Sequence, residues 1–372
     1  MPLSVPRRVM PLALALVLGG VAARAGEGAA RPATARPPLA LVTRTAVPAR
    51  RSPCDRPTHS PYAYPWPIKP FRRQHPIRGN FGDPRTVTPV TFGEDVPGSP
   101  GSFAFHNGVD ISAAAGTPVY PVVSGTVSAA PYPQDEVVVV TDDFRTFQYF
   151  HVTPSVRPGE RVVAERTVLG TVKPEWWHVH LTEIDGFRTH NPADPGHLEP
   201  YRDHTVPVIK GLIFTSGRGT RLEAARLHGA IQIAVNASDV PPLPVFPEFW
   251  EDLPVTPALV SWRMVDARSR AVVPATVAAD FRRTEPPNRN FWDVYAAGTY
   301  QNFPVFDHDY YFHRPGRYLF RLTKAPLDTR RLRNGRYVIT VEAEDVCGNR
   351  ASLTQRVVIA NPSAVARSPA GR

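Results

Sequence analysis

Lysine, cysteine, methionine and long apolar runs are all scarce in this chain. Only Lys69, Lys173, Lys210 and Lys324 are Lys among 43 basic residues, which leaves 43 − 4 = 39 Arg behind a net charge of +10. The Arg are scattered and no basic run interleaves with aromatics, so no nucleic-acid partner is expected. Beyond the N-terminus no segment approaches the roughly 18 apolar residues of a spanning helix, and no stable membrane span is expected after processing. Residues 66–200 contain no GxGxxG, no P-loop and no Gly-x-Ser-x-Gly. Dinucleotide binding, phosphate cradling and a nucleophile elbow are therefore not expected in that block.

Proline, by contrast, is abundant: 43 Pro and 25 Gly in 372 residues. A Pro inside a helix costs about 3 kcal/mol, so helical bundles, coiled coils and helix-rich doubly wound folds are not expected. With 42% hydrophobic and 10% aromatic residues the chain still has the material for packed cores. The composition indicates an all-β protein of short strands joined by Pro-bearing turns.

Residues 1–25 read as an export signal: Arg7 and Arg8, an apolar stretch from Val9 to Ala22, then Ala23-Arg24-Ala25 as a cleavage site. The mature protein is expected in the periplasm, the cell envelope or the medium. Residues 26–65, rich in Pro, Ala and Arg, read as a disordered or extended linker. Residues 66–200 alternate short apolar runs with turn signals, as in EVVVVT from Glu136 to Thr141, and read as a compact antiparallel β domain. Residues 205–361 carry about seven more strand-like runs and read as an immunoglobulin-like β-sandwich that could bind a protein partner. Arg221 to Leu227 is the best helical candidate there, and 362–372 reads as a disordered tail. Cys54 and Cys347 can pair in an oxidising compartment, tying the linker to the last domain, or remain free thiols; the sequence leaves both open.

Seven of the 12 His lie between residues 106 and 204. His106-Asn107-Gly108-Val109-Asp110 is an H-x-x-x-D whose Asn-Gly is a turn dipeptide, so its two ends do not share a helical face. Trp177-His178-Val179-His180-Leu181 is an H-x-H in strand-like text, and period-two alternation puts both imidazoles on one side. His151 ends a separate strand. Two His and one Asp with a vacant position form the ligand set of a catalytic zinc, and further imidazoles beside it suit proton transfer and oxyanion stabilisation. Each piece alone is more often a structural polar residue; their ordered conjunction within one β block carries the reading.

The order Gly79-Asn80-Phe81-Gly82, His106-Asn107-Gly108-Val109-Asp110, Gly125-Thr126-Val127, Tyr149-Phe150-His151 and His178-Val179-His180 resembles the lysostaphin/LytM-type zinc metallopeptidases. The resemblance covers about residues 66–190. It implies a compact antiparallel β fold, zinc ligation by His106, Asp110 and His180, catalytic positions for His151 and His178, and hydrolysis of peptide bonds in bacterial cell-wall peptidoglycan. Arg85, Tyr149 and Trp177 are expected at substrate contacts. The chain departs from the family by carrying Lys173-Pro174-Glu175-Trp176-Trp177 where a small-residue turn usually precedes the H-x-H. A catalytically inactive wall-binding or regulatory module of the same fold is the alternative. A non-haem iron oxygenase, which also uses two His and a carboxylate, is disfavoured by the spacing and the export signal.

Overall fold

The computed structural model describes residues 42–49, 51–55, 60–88, 102–129, 135–303, 305–306, 309–310 and 314–362. The export signal, the linker before residue 42 and the tail from residue 363 lie outside them. Strands dominate the described residues, and the one α-helix among them is the single turn Phe291–Val294. The helix expected over 221–227 does not form. Its residues are instead tied down one at a time: Leu222 N–H donates to the Phe214 carbonyl and Leu227 N–H to the Val358 carbonyl, so neighbouring strands satisfy the backbone that a helix would have satisfied internally.

An eight-stranded antiparallel sheet organises the first block. Its order is Arg161–Val162, Gly125–Val127, Glu136–Thr141, Arg145–Phe150, His178–Asp185, Val109–Ser112 and Ile77–Gly79, with Arg188–His190 pairing the fifth of these. Period-two alternation decides what each strand contributes. Val109 and Ile111, Phe147 and Tyr149, and Val179 and Leu181 all point into one core with Trp66, Ile77 and Val139. Asp110, Phe150, His178 and His180 are thereby turned to the other face. A small sheet of Pro118–Val119, Gly170–Val172 and Val152–Pro154 lies alongside.

Two antiparallel sheets make the second block. One has four strands, joining Val208–Ser216, Ala230–Ser238, Leu319–Arg321 and Leu327–Asp328; the other has five, ordered Val42–Val47, Arg350–Ile359, Gly335–Glu344, Leu259–Asp266 and Ala271–Asp280. Ile231, Ile233 and Val235 of the first meet Trp262, Ile339, Val341 and Leu353 of the second in a shared core. Two sheets around one core form a β-sandwich, and the immunoglobulin-like class expected from the sequence is carried no further than that.

Residues 42–47 fall within the segment read as a disordered or extended linker. They form an edge strand in register with Arg350–Ile359, Val42 opposite Gln355 and Val47 opposite Arg350. Cys54 then bonds to Cys347 across 293 residues of sequence. The periodicity of this strand is invisible in the sequence because all six side chains are exposed; backbone pairing holds it, with Arg44 donating to the Ile209 and Lys210 carbonyls and the Thr45 hydroxyl bonded to that of Ser352.

The two blocks interlock within one compact unit. Phe81 and Phe105 belong by sequence to the first block but sit in the second core, against Phe281, Phe291 and Tyr295. Thr256 N–H donates to Asp83 Oδ1 at 2.7 Å, Asn80 Nδ2 to the Thr256 carbonyl at 3.1 Å, and the Tyr295 hydroxyl to the Gly82 carbonyl at 2.6 Å. The Asn80–Asp83 turn, which borders the candidate site, therefore rests on the second block.

Candidate metal centre

Strand register assembles the site. His180 lies opposite Asp110 on one side and Phe150 on the other, and Gly79 lies opposite Asp110 across the next strand. The Asn107-Gly108 turn delivers His106 to the same point. Gly108 is required there because a Cβ would stand 2.3 Å from the Leu181 carbonyl oxygen and 2.7 Å from His180 Nε2.

Three atoms converge. His106 Nε2 is 3.0 Å from Asp110 Oδ1 and 2.8 Å from His180 Nδ1, and His180 Nδ1 is 3.0 Å from Asp110 Oδ1. Their outer contacts show why this triangle suits a cation. His106 Nδ1 faces the Asn80 carbonyl at 2.8 Å; a carbonyl only accepts, so the ring proton is on Nδ1 and Nε2 presents a lone pair. His180 Nε2 is 2.7 Å from Thr182 Oγ1, an acceptor that lets Nδ1 present its lone pair too. Asp110 Oδ2 accepts from Arg85 Nη2 at 2.8 Å, which leaves Oδ1 facing the two rings. Three lone pairs this close repel one another unless a positive ion lies between them, and two imidazoles with a carboxylate are the donors a zinc ion takes. His106, Asp110 and His180 could hold such an ion.

The charge states agree with this use. Burial, reinforced by the Arg85 charge, pulls His106 down to about 3, so its ring is neutral. Burial alone would raise the Asp110 carboxyl, but His106, His178 and Arg85 outweigh it and hold it well below the usual carboxylate range. Both are ready ligands near neutral pH.

His178 and His151 flank the triangle. His178 Nε2 is 3.4 Å from Asp110 Oδ1, and its ring centroid is 4.5 Å from that of His151. Burial and then the Arg78 charge bring His178 down to about 4. Burial, with His178 and His180 nearby, likewise lowers His151 strongly. Two neutral imidazoles thus stand beside the ligand atoms. His151 is held with φ of 64° and Trp177 with φ of 56°, left-handed conformations that bulky residues adopt only where the surroundings impose them.

The remaining expected residues separate. Trp176, 40% exposed, stacks flat on His151 with centroids 3.8 Å apart. Trp177 turns away to Phe246 of the second block at 5.6 Å. Tyr149 is a correction: its side chain is fully buried in the sheet core, where the hydroxyl accepts from Val122 N–H at 2.9 Å, so it does not meet substrate. Phe150, one residue on, occupies the site face with its ring 5.1 Å from His180. Arg85, expected at a substrate contact, pairs with Asp110 and lies 3.6 Å from Asp83. Asn80, Thr182 and Arg78 escaped the sequence reading; for Thr182 the period-two spacing from His180 was the available signal.

Gly79 gives this geometry a test. A Cβ there would lie 2.5 Å from Asp110 Oδ2 and 3.2 Å from Arg85 Nη2. Gly79→Ala must push the ligand carboxylate out of place, and metal affinity is expected to fall roughly 10–100-fold, as when the partners of a ligand are lost. Chelator competition on the folded variant reads this directly; wild-type affinity would show that Asp110 is not a ligand.

Residues 104–184 match peptidase family M23. The match spans His106, Asp110, His151, His178 and His180 but not Arg78 or Arg85. No curated protein matches. Among solved structures, the chain is similar to the catalytic domain of the prophage-encoded M23 protein EnpA from Enterococcus faecalis, at 24% identity over 30% of this chain and 88% of that one, with a TM-score of 0.22. It is also similar to LytU, at 17% identity over 34% of this chain and 86% of that one, TM-score 0.25. A zinc-containing peptidase from Vibrio cholerae shares 22% identity over 33% of this chain and 36% of that one, TM-score 0.25. The likeness rests on the sequence match: residues 104–184 of this chain are similar to peptidase family M23.

Proposed function

We propose that the protein is an exported zinc metalloendopeptidase that hydrolyses peptide bonds of bacterial cell-wall peptidoglycan. The observation that carries the metal reading is the triangle of three ligand-type atoms, 2.8–3.0 Å apart, on His106, Asp110 and His180. A zinc ion held there would supply a water acidic enough to ionise near neutral pH and would polarise the scissile carbonyl.

The protein's own groups complete the chemistry. A neutral imidazole accepts the proton of the attacking water and returns it to the leaving amine. A second, with its N–H directed into the site, stabilises the oxyanion that develops on the carbonyl. His151 and His178 fill these two places. The exposed Trp176 ring, continuous with His151, offers a flat apolar surface to the substrate beside the scissile bond. The substrate class and the export route rest on the sequence resemblance and on residues 1–25.

A wall-binding module without turnover remains the second reading, favoured by the Trp176 ring covering one face of His151. One experiment separates the two. The purified mature protein is assayed for bound metal and incubated with purified peptidoglycan, with and without chelator, and newly released amino groups are counted. Stoichiometric zinc with chelator-sensitive release is expected. Zinc with no release would establish the binding module instead, and no bound metal would end both metal readings.

A further inference from the structure

Arg78 is a buried cation, 6% exposed, on the strand Ile77–Gly79 directly behind the catalytic imidazoles. Its Nη2 donates to the Trp176 carbonyl at 2.8 Å and lies 2.7 Å from His178 Nδ1. The Trp176 carbonyl is itself 2.7 Å from that ring nitrogen. One guanidinium nitrogen therefore bridges the backbone of the Trp176-Trp177 turn and the ring of His178. Arg78 Nε and Nη1 are buried without a hydrogen-bond partner, an expensive state for a charged group.

The guanidinium face has a partner from elsewhere. Its Cζ stands 4.0 Å over the ring centroid of Trp250, a residue of the short 3-10 turn Glu248–Trp250 in the second block. Trp250 is in turn braced edge-on by Phe303 at 4.4 Å. A cation over an indole face is attracted by the ring's negative π face, and at 4.0 Å this contact restricts how the guanidinium can turn. Rotation of that plane would move Nη2 away from both the Trp176 carbonyl and His178. Trp176 carries the ring stacked on His151, so the bridge bears on both catalytic imidazoles.

We propose that Trp250 and Arg78 form a positioning pair through which the second block orients His178 and the Trp176 turn, making that block a working part of the active site. This rests on the hydrolase reading above, and it assigns to a segment outside the M23 match a role in the reaction. Neither residue meets substrate in this account; they act through His178 and Trp176.

The test uses the full-length zinc-loaded protein with Trp250→Ala, Trp250→Phe and Arg78→Lys. On soluble peptidoglycan peptides, Trp250→Ala and Arg78→Lys are expected to lower kcat on the order of 10–100-fold, the scale of an ångström-sized misplacement of a catalytic group. KM, zinc content and melting temperature should change little. Trp250→Phe should recover most of kcat, since it restores a ring face, whereas Lys lacks the planar fork. Imidazole nitrogen resonances of His178 should shift in the two damaging variants and return in Trp250→Phe. Wild-type kcat in both variants overturns the pair, and so does a kcat loss that merely tracks lost zinc or lost folding. If the wild-type protein proves inactive, the hydrolase reading fails separately. The His178 resonances then decide the positioning claim: a shift upholds it and unchanged signals overturn it.

Discussion

Asp110→Ala is expected to yield a folded protein that neither retains stoichiometric metal nor hydrolyses peptide bonds. Asp110 is the hub of the site. Its Oδ1 faces His106, His180 and His178, and its Oδ2 accepts from Arg85. Removing the carboxylate leaves the Arg85 cation facing two neutral rings, so the electrostatic balance of the cavity inverts rather than weakens. A bound metal contributes several kcal/mol of transition-state stabilisation, and each 1.36 kcal/mol is a factor of ten, so activity should fall on the order of 10³-fold or more. Asp110→Asn is the sharper variant. It keeps the volume but brings an amide donor among lone pairs, and it should lose metal as well. The measurements are metal content by elemental analysis and steady-state hydrolysis, with thermal unfolding as the control for folding. Retention of both metal and activity in Asp110→Ala would sink the ligand assignment.

The largest effect on stability is expected from the cystine. Cys54 and Cys347 close a loop of 293 residues, and the chain-entropy relation gives roughly 5 kcal/mol for a loop of that size. Cys347 is also fully buried, in the core of the first block although it lies in the turn between the last two strands of the second, Gly335–Glu344 and Arg350–Ile359. Cys54→Ser with Cys347→Ser should therefore lower the melting temperature by about 10–20 °C, at the 2–4 °C per kcal/mol typical of larger domains. Activity at 25 °C should persist, because no site residue touches either sulfur. Calorimetry of the double variant against the oxidised protein reads the shift. An unchanged melting temperature would mean that the strand Val42–Val47 and its pairing already hold the N-terminal segment without the bond.

How legible these features were in the sequence depended on whether the signal was local. The all-β class followed from proline abundance, and several strands kept their expected places, Glu136–Thr141 to the residue. The five His and Asp residues were legible because H-x-H fixes a shared strand face and H-x-x-x-D with Asn-Gly fixes a turn. What escaped was set by register or by contact between distant segments. Tyr149 and Phe150 are neighbours of similar character, and only the phase of the sheet decides that Tyr149 is core and Phe150 faces the site. Trp176 and Trp177 divide between His151 and Phe246 through a left-handed backbone that no residue preference announces. Val42–Val47 has no buried face to imprint an alternation. Arg78 and Trp250 are 172 residues apart in the chain, and nothing in either local sequence indicates the other.

Phe81 and Phe105 limit how a chain like this can diversify. Both rings lie in the core of the second block, so a recombination point near residue 204 would strand two aromatic side chains in water, each forfeiting roughly 1.5–3 kcal/mol of burial. It would also remove the floor beneath the Asn80 turn, whose carbonyl sets the His106 tautomer. The catalytic segment is therefore not an exchangeable cassette with a binding module strung behind it. New specificity in such a protein is expected from substitutions around the His/Asp cluster, with both blocks inherited together.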